Sequence, residues 1–302
     1  MKWSKPLVGL AACCALVACD TSDETTPKTS ETPSREAQAR ESAPMKSETM
    51  GETILEIMAS PHRSDTNRER DQYRNPEETL FFFELKPEHT VMEVNPGGGW
   101  YMEIIAPFVR DKGHYIAATP DPSLDGMPGY VERQATSIQA RIDDQKNIYG
   151  DAEMRLYNPA APELGEPESV DRVLTFRNVH GWIGAEQAQG MFEAFARVLK
   201  PGGMLGVVQH RAEDGSAAEK TTGTGYVSEA TVIKLAEEAG LELDGRSNLN
   251  ANPKDTRDYE QGVWTLPPTL RLGEQNREEY LSIGESDRMT LRFIKPAKPA
   301  EE

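Results

Sequence analysis

The fold is decided by residues 90–100, which read Thr-Val-Met-Glu-Val-Asn-Pro-Gly-Gly-Gly-Trp. The apolar first half predicts a buried strand over Thr90–Asn95, and the residues that follow predict a helix over Trp100–Arg110. Glycines are needed where the backbone passes close to a ligand or adopts a positive φ. A glycine cluster alone is a weak signal, but between a strand and a helix it predicts a loop that holds a nucleotide-like ligand.

Strands and helices alternate on the C-terminal side of this loop, which predicts an α/β fold with a mostly parallel sheet. Further strands are expected over His114–Thr119, Met154–Tyr157, Val170–Phe176, Met204–His210, Leu241–Leu249 and Arg288–Ile294. Further helices are expected over Tyr130–Ile148, Ala185–Leu199 and Ser228–Ala239, and residues 250–287 are expected to form an irregular insert. Pro76–Leu85 begins with proline and two glutamates, which predicts a helix beside the sheet or over the site.

A second motif, Leu199-Lys200-Pro201-Gly202-Gly203, lies between a predicted helix and a predicted strand. Together with Ser169-Val170-Asp171 before an apolar strand, the order of elements resembles the class I S-adenosylmethionine-dependent methyltransferases over about residues 91–294. More narrowly, the segments 96–101, 175–180 and 292–296 resemble a group of exported bacterial methyltransferases known from sequence. The resemblance implies a Rossmann-like doubly wound sheet, mostly parallel with an antiparallel last strand, and S-adenosylmethionine as the cofactor.

The resemblance also implies which residues hold the cofactor, namely Glu93, Asn95, Gly97 and Gly99 in the loop. Asn95 stands where the family has its first glycine, and asparagine can adopt left-handed backbone geometry. Thr119 falls where the family has an acidic residue that binds the ribose hydroxyls. We expect Asp121, two residues later, to take over that contact if its loop bends back.

Candidate catalytic residues follow the predicted fourth and fifth strands, because ligands bind at the carboxyl ends of strands in open α/β sheets. His180 and His210 are the acid/base candidates, since a neutral histidine can remove a proton near pH 7. Arg177 and Asn178 are the candidates for positioning the substrate. Two questions stay open: the histidines have either a catalytic role or none, and Arg177 and Arg211 either bind an anionic substrate or only pair with the many carboxylates.

The N-terminus carries the features of a bacterial lipoprotein signal. Two lysines precede an apolar run of thirteen residues, Pro6–Ala18, which is too short to span a bilayer but fits a secretory signal. The run ends in Leu-Val-Ala-Cys, which resembles the lipobox and implies lipidation of Cys19. We therefore expect a signal peptide (1–18), a lipidated cysteine with a disordered tether (19–50), N-terminal helices (51–89), the methyltransferase-like domain (90–296) and a tail (297–302).

The composition narrows the function. A net charge of −17 argues against a nucleic-acid partner, and all three cysteines lie at or before Cys19, which leaves no cysteine for a metal site in the folded domain. No metal is expected. The sequence predicts a periplasmic, lipid-anchored methyltransferase acting on a small molecule; the alternative is a non-catalytic ligand-binding lipoprotein with the same fold. A dehydrogenase-like Rossmann enzyme is disfavoured by the second motif. The oligomeric state is left open.

Overall fold

The computed structural model of the protein describes residues 50–51, 53–217 and 222–297. The predicted signal peptide, the lipidation site at Cys19, nearly all of the tether and most of the tail lie outside these residues. The described residues contain the whole predicted methyltransferase-like domain, 90–296, except for residues 218–221.

Seven strands form one sheet in the described residues. They are β1 (Thr90–Val94), β2 (His114–Pro120), β3 (Glu153–Tyr157), β4 (Val170–Phe176), β5 (Leu199–His210), β6 (Glu242–Ser247) and β7 (Arg288–Ile294). Their order is β3-β2-β1-β4-β5-β7-β6, and β7 runs antiparallel to both of its neighbours while the first five strands are parallel. This architecture confirms the predicted Rossmann-like sheet with an antiparallel last strand.

The helices flank the sheet and differ in detail from the prediction. They are α1 (residues 50–59, with 52 not described), α2 (Asp65–Arg68), α3 (Asp71–Arg74), α4 (Pro76–Phe82), α5 (Met102–Val109), α6 (Gly129–Asp144), α7 (Lys146–Tyr149), α8 (Val179–Gly184), α9 (Ala188–Val198), α10 (Glu229–Glu238) and α11 (Arg277–Ile283). The helix expected over Ala185–Leu199 begins only at Ala188, because Glu186 adopts a φ of 58° that ends α8. The insert, expected to be irregular, contains α11.

Two apolar clusters cover the two faces of the sheet. On β1, Met92 and Val94 belong to one cluster with α9 and α10, whereas Val91 belongs to the other with α4, α5 and α6. Successive side chains of a strand point to opposite faces. The alternation therefore places Glu93 on the same face as Val91, and the Glu93 side chain is buried there.

A buried polar network holds the N-terminal helices against the sheet. Its centre is Glu103 on α5, which accepts hydrogen bonds from Asn67 at 2.9 and 3.0 Å and from Arg141 at 3.0 Å. Arg63 lies 3.7 Å from the same carboxylate and pairs with Asp71 through two bonds of 2.7 and 2.8 Å. Charged pairs with two parallel hydrogen bonds fix geometry as well as charge. The segment 67–74 is thus set over the carboxyl ends of β1 and β4.

We expect Gly206→Ala in β5 to lower the free energy of unfolding by about 1–3 kcal/mol, because added methyl groups overpack a filled core. A Cβ atom at Gly206 would lie 2.7 Å from Leu174 and 2.8 Å from Phe83. Urea unfolding followed by circular dichroism measures the change.

The matched control is Gly181→Ala in α8, where a Cβ would meet nothing within 4 Å. Alanine is the better helix former, so this variant should equal the wild type or exceed it by up to about 1 kcal/mol. Equal stability of the two variants would contradict the close packing at Gly206.

Candidate functional site

A cavity of about 340 Å³ opens at the carboxyl ends of β1, β4 and β5. The chain leaves β1 toward β2 on one side and β4 lies on the other, so the cavity sits at the point where the strand order reverses, the usual ligand site of such sheets. Its lining comes from the N-terminal helices, the glycine loop, the ends of β4 and β5, and the insert. The lining residues are Asn67, Arg70, Arg74, Glu93, Asn95, Pro96, Gly97, Gly98, Trp100, Tyr101, Phe176, Arg177, Asn178, His180, His210 and Trp264.

The glycine loop forms one edge of this cavity and has the left-handed backbone that its residues permit. Asn95, Gly97 and Gly99 have φ values of 54°, 60° and 78°. The Tyr157 hydroxyl donates a 2.7 Å hydrogen bond to Asn95 Oδ1, which fixes the asparagine that replaces the family's glycine. A Cβ at Gly98 would meet nothing within 4 Å, so the loop has open space on that side. A ligand can therefore approach the backbone closely at Gly98.

The end of β2 carries the two residues that bear on ribose binding. Thr119 is buried, and its Oγ1 has no hydrogen-bond partner in the described structure. Asp121 accepts hydrogen bonds from the Ser123 hydroxyl (2.7 Å) and amide (2.9 Å), and the hydroxyl bond in particular lowers the pKa of Asp121. Both bonds go to Oδ1, which leaves Oδ2 as an anionic acceptor. The orphan hydroxyl, this free oxygen and the open side of Gly98 all fit an adenosyl cofactor.

Glu93 lines the cavity from the end of β1. The Tyr115 hydroxyl donates a 2.6 Å hydrogen bond to Glu93 Oε2. Burial raises the pKa of Glu93 to about 7, although the Tyr115 bond and the charges of Arg74 and Arg177 act in the opposite direction. The carboxyl group is thus half protonated near neutral pH and can either give or take a proton.

His180 is held by Gln209, whose amide orientation is fixed at both ends. Gln209 Oε1 accepts from the Val179 amide at 3.1 Å, and Nε2 donates to the Gly225 carbonyl at 2.9 Å. The remaining Nε2 hydrogen points to His180 Nδ1 at 3.3 Å, which assigns the proton of a neutral imidazole to His180 Nε2. Burial lowers the pKa of His180, and repulsion from Arg177 acts in the same direction. His180 is therefore a neutral donor at pH 7.

His210 lies next to His180, with ring centres 5.8 Å apart. Its Nδ1 is 2.5 Å from the Ser286 hydroxyl. Burial lowers the pKa of His210 well below its usual range, and the charge of Arg177 lowers it further. The structure thus brings the two predicted acid/base histidines into one cavity in neutral form, and their catalytic role stays a prediction.

The two predicted positioning residues, Asn178 and Arg177, differ in the hydrogen bonds of their side chains. The Asn178 amide nitrogen donates to the Val94 carbonyl at 3.0 Å and the Thr175 hydroxyl at 3.0 Å, so it ties the end of β4 to β1. The Arg177 side chain has no hydrogen bond or ion pair to any described residue and lines the cavity. Of the two, Arg177 is the side chain whose donors are not used by the described residues, and its role as a positioning residue stays a prediction.

Sequence reasoning missed the part of the cavity that comes from distant segments. Arg70 and Arg74 on the N-terminal helices, Trp100 after the glycine loop and Trp264 from the insert all line it. Arg70 and Arg74 stand four residues apart, which puts both on one helical face, and this spacing was the available signal. The two tryptophans gave no comparable signal.

Two further properties concern metals and membranes. In the described part of the chain, no group of three or more His, Cys, Asp or Glu residues is placed to hold a metal ion. Across residues 50–297, outside the gaps at 52 and 218–221, no helix is both long and apolar enough to cross a bilayer.

Comparison with known proteins identifies relatives by structure. No family model matches the sequence, and no curated protein matches it. The fold is similar to that of a protein from Galdieria sulphuraria that is described as a sarcosine dimethylglycine methyltransferase (TM-score 0.52, 16% identity, covering 75% of this chain and 87% of the other). It is similar to a chain of a Haloferax volcanii complex that is described as a methyltransferase activator with its methyltransferase (TM-score 0.51, 17% identity, covering 78% of this chain and 95% of the other). It is also similar to the [4+2]-cyclase SpnF (TM-score 0.52, 13% identity, covering 75% of this chain and 81% of the other). The chain therefore has the class I methyltransferase fold.

The raised pKa of Glu93 leads to a test of its burial. The native pKa of Glu93, about 7, lies above its unfolded value of 4.5, so the folded state favours the protonated carboxyl group. The stability that this preference gives is complete below about pH 4.5 and is lost as the pH rises through 7. Glu93→Gln should match the wild type near pH 5 and exceed its free energy of unfolding by roughly 3 kcal/mol at pH 9. Urea unfolding across this pH range measures the difference.

Tyr115→Phe is the companion variant. It removes the hydrogen bond that lowers the pKa of Glu93, so the loss of stability should shift to higher pH. A difference between Glu93→Gln and the wild type that does not change with pH would contradict the burial of an ionisable carboxyl group.

Proposed function

We propose that the protein is an S-adenosylmethionine-dependent methyltransferase that acts on a small molecule. The observation that carries the proposal is the continuity of the site: the open side of the glycine loop and the two neutral histidines line one cavity at the switch point of the sheet. The cavity volume of about 340 Å³ is at the small end of ligand sites. The family resemblance and the fold neighbours support the choice of cofactor.

Each group has a defined task in this proposal. S-adenosylmethionine, when bound, supplies a methyl group on a positively charged sulfur. The backbone at Gly97 and Gly98 admits the cofactor, and Asp121 Oδ2 accepts from the ribose hydroxyls. His180 Nε2 donates a hydrogen bond to the acceptor and orients it. Where Ser286 accepts from His210 Nδ1–H, Nε2 of His210 holds the lone pair that takes the proton released by the acceptor.

A second candidate function is a non-catalytic module that binds a small ligand. The replacement of the family's acidic ribose ligand by Thr119 favours it. The similarity to a protein described as a cyclase also shows that this fold serves proteins named for other reactions. Binding of the cofactor separates the two functions, because a module that serves another ligand has no need for S-adenosylmethionine.

The proposal is tested by calorimetric titration of the purified protein with S-adenosylmethionine and S-adenosylhomocysteine. We expect binding in the wild type and a loss of about tenfold or more in Gly98→Val, since a side chain there fills the space left for the ligand. Gly98 is the sharpest position because its φ is not in the left-handed region, so the substitution does not strain the backbone.

Gly98→Ala is the matched control, and its single methyl group should change the affinity little. Both variants should melt within about 2 °C of the wild type, because neither side chain enters the core. The absence of heat and of any thermal shift with both ligands at millimolar concentration would contradict the methyltransferase proposal and favour the binding module.

We also propose that the protein is exported and anchored to a bacterial membrane through lipid on Cys19, with its domain in the periplasm. The lipobox-like sequence supports this proposal. Cells fed an alkyne-tagged palmitate should incorporate the label into the wild type and not into Cys19→Ser. Cys14→Ser is the matched control and should keep the label. Labelling of Cys19→Ser at the wild-type level would contradict lipidation at this residue.

A further inference from the structure

The cavity contains more positive than negative charge. Three arginines and one glutamate are the charged side chains among its described lining residues: Arg70, Arg74, Arg177 and Glu93. Because burial raises the pKa of Glu93 to about 7, this carboxyl group offsets only part of one positive charge at neutral pH. Burial lowers the pKa of Arg177 to about 10, so it remains a cation.

Glu285, which does not line the cavity, forms ion pairs with two of the lining arginines. Glu285 lies 2.6 Å from Arg70 Nε and 3.3 Å from Arg74 Nε, and it also pairs with Arg288. Three guanidinium groups thus share a single negative charge. Arg177 lines the same cavity as Arg70 and Arg74 and adds a further positive charge to it.

The arginines also have unused hydrogen-bond donors. Nη2 of Arg70 and Nη2 of Arg74 are buried and have no partner among the described residues, and Arg74 as a whole is 2% exposed. Arg177 has no side-chain partner at all among them. Buried cations and buried donors without partners are unfavourable, so proteins normally satisfy them.

Arginines outside the cavity have carboxylate partners, although Nε of Arg63, Arg288 and Arg292 also lacks a hydrogen-bond partner among the described residues. Arg211, beside a larger cleft of about 730 Å³, forms two bonds of 2.9 Å to Asp287 and one of 3.2 Å to Glu229. Arg63 forms a two-fold pair with Asp71. Arg177, which has neither a hydrogen bond nor an ion pair to a described residue, therefore differs from these arginines outside the cavity.

Arg177 follows β4, which lies on the other side of β1 from β2. Thr119 and Asp121, the residues for the cofactor's ribose, stand at the end of β2 on the opposite side of β1 and do not line the cavity. Building on the proposed function, we infer that Arg177, with Arg74 and Arg70, binds a carboxylate or phosphate group of the methyl acceptor. The acceptor is then a small anion, and His180 and His210 lie beside it.

Thermal unfolding of the purified protein tests this inference without any turnover. Inorganic phosphate and malonate should each raise the melting temperature above that in sodium chloride of equal ionic strength, with a rise that continues with the logarithm of concentration. Arg177→Gln should weaken this anion response by about tenfold or more, since charge-assisted bonds are lost. Without added anion, the same variant should melt about 3 °C above the wild type, because it removes an unpaired, half-buried charge beside other cations.

Arg292→Gln is the matched control. Arg292 pairs with Glu84 at 2.9 Å and Asp244 at 2.6 Å outside the cavity, so its loss should leave the anion response at the wild-type level. Equal responses of the wild type and Arg177→Gln to both anions would overturn the inference. So would an Arg177→Gln variant that melts below the wild type without anion, because Arg177 would then have a partner within the protein.

A competition experiment separates the acceptor from the cofactor as the source of the anion, since S-adenosylhomocysteine also carries a carboxylate. Unchanged affinity for S-adenosylhomocysteine in 50 mM phosphate supports an acceptor site. Mutual exclusion would overturn it and assign the arginines to the cofactor. An anion response that persists in a protein with no affinity for S-adenosylhomocysteine would contradict the proposed function while the anion site itself stands.

Discussion

The burial of Arg74 is the constraint on which the site depends. Its guanidinium lies 4.5 Å from the centre of the Trp100 ring and 3.3 Å from Glu285, and the side chain is almost completely buried. A buried charge needs both a counter-charge and a suitable surface, and these come from two segments far apart in the chain. Arg74 therefore connects the N-terminal helices, the glycine loop and the segment before β7. The cavity exists because these three segments meet at one cation.

The same cluster explains why the site can hold charge that the protein does not neutralise. The single carboxylate of Glu285 stabilises three arginines, and their charges in turn hold the pKa of Glu285 far below its usual range, against the effect of burial. Glu285 thus links three arginines, and a fourth, Arg177, lines the cavity without an ion pair to any described residue. Such an arrangement lowers stability in the free protein and prepares an oxyanion site, a trade that is common at functional sites.

The sequence predicted the scaffold better than the site. The glycine loop, the order of strands and the antiparallel last strand were predictable because hydrophobic periodicity and turn residues act locally. Arg177, Asn178, His180 and His210 were also found, since they follow strands whose ends the pattern predicts. Arg70, Arg74 and Glu285 were not, because more than 200 residues separate the partners along the chain. Periodicity carries no information on which charges meet across that separation. The register of the sheet carries that information, because it sets Arg288, the first residue of β7, opposite His210. Glu285 lies three residues before Arg288.

The cavity and the whole protein have opposite charge, and this difference limits what bulk composition can say about function. The chain carries a net charge of −17, which disfavours a polyanionic partner such as nucleic acid at long range. At physiological ionic strength, however, surface charges are screened beyond about 8 Å. A small anion that reaches the cavity mouth therefore experiences mainly the three lining arginines, whose buried or half-buried surroundings strengthen electrostatic attraction. A negative chain with a cationic cavity is compatible with a small anionic ligand and disfavours a polyanion. The negative charge of the chain and the positive charge of the cavity thus point to the same class of ligand. For the proposed enzyme, both favour small carboxylates and phosphates as candidate methyl acceptors.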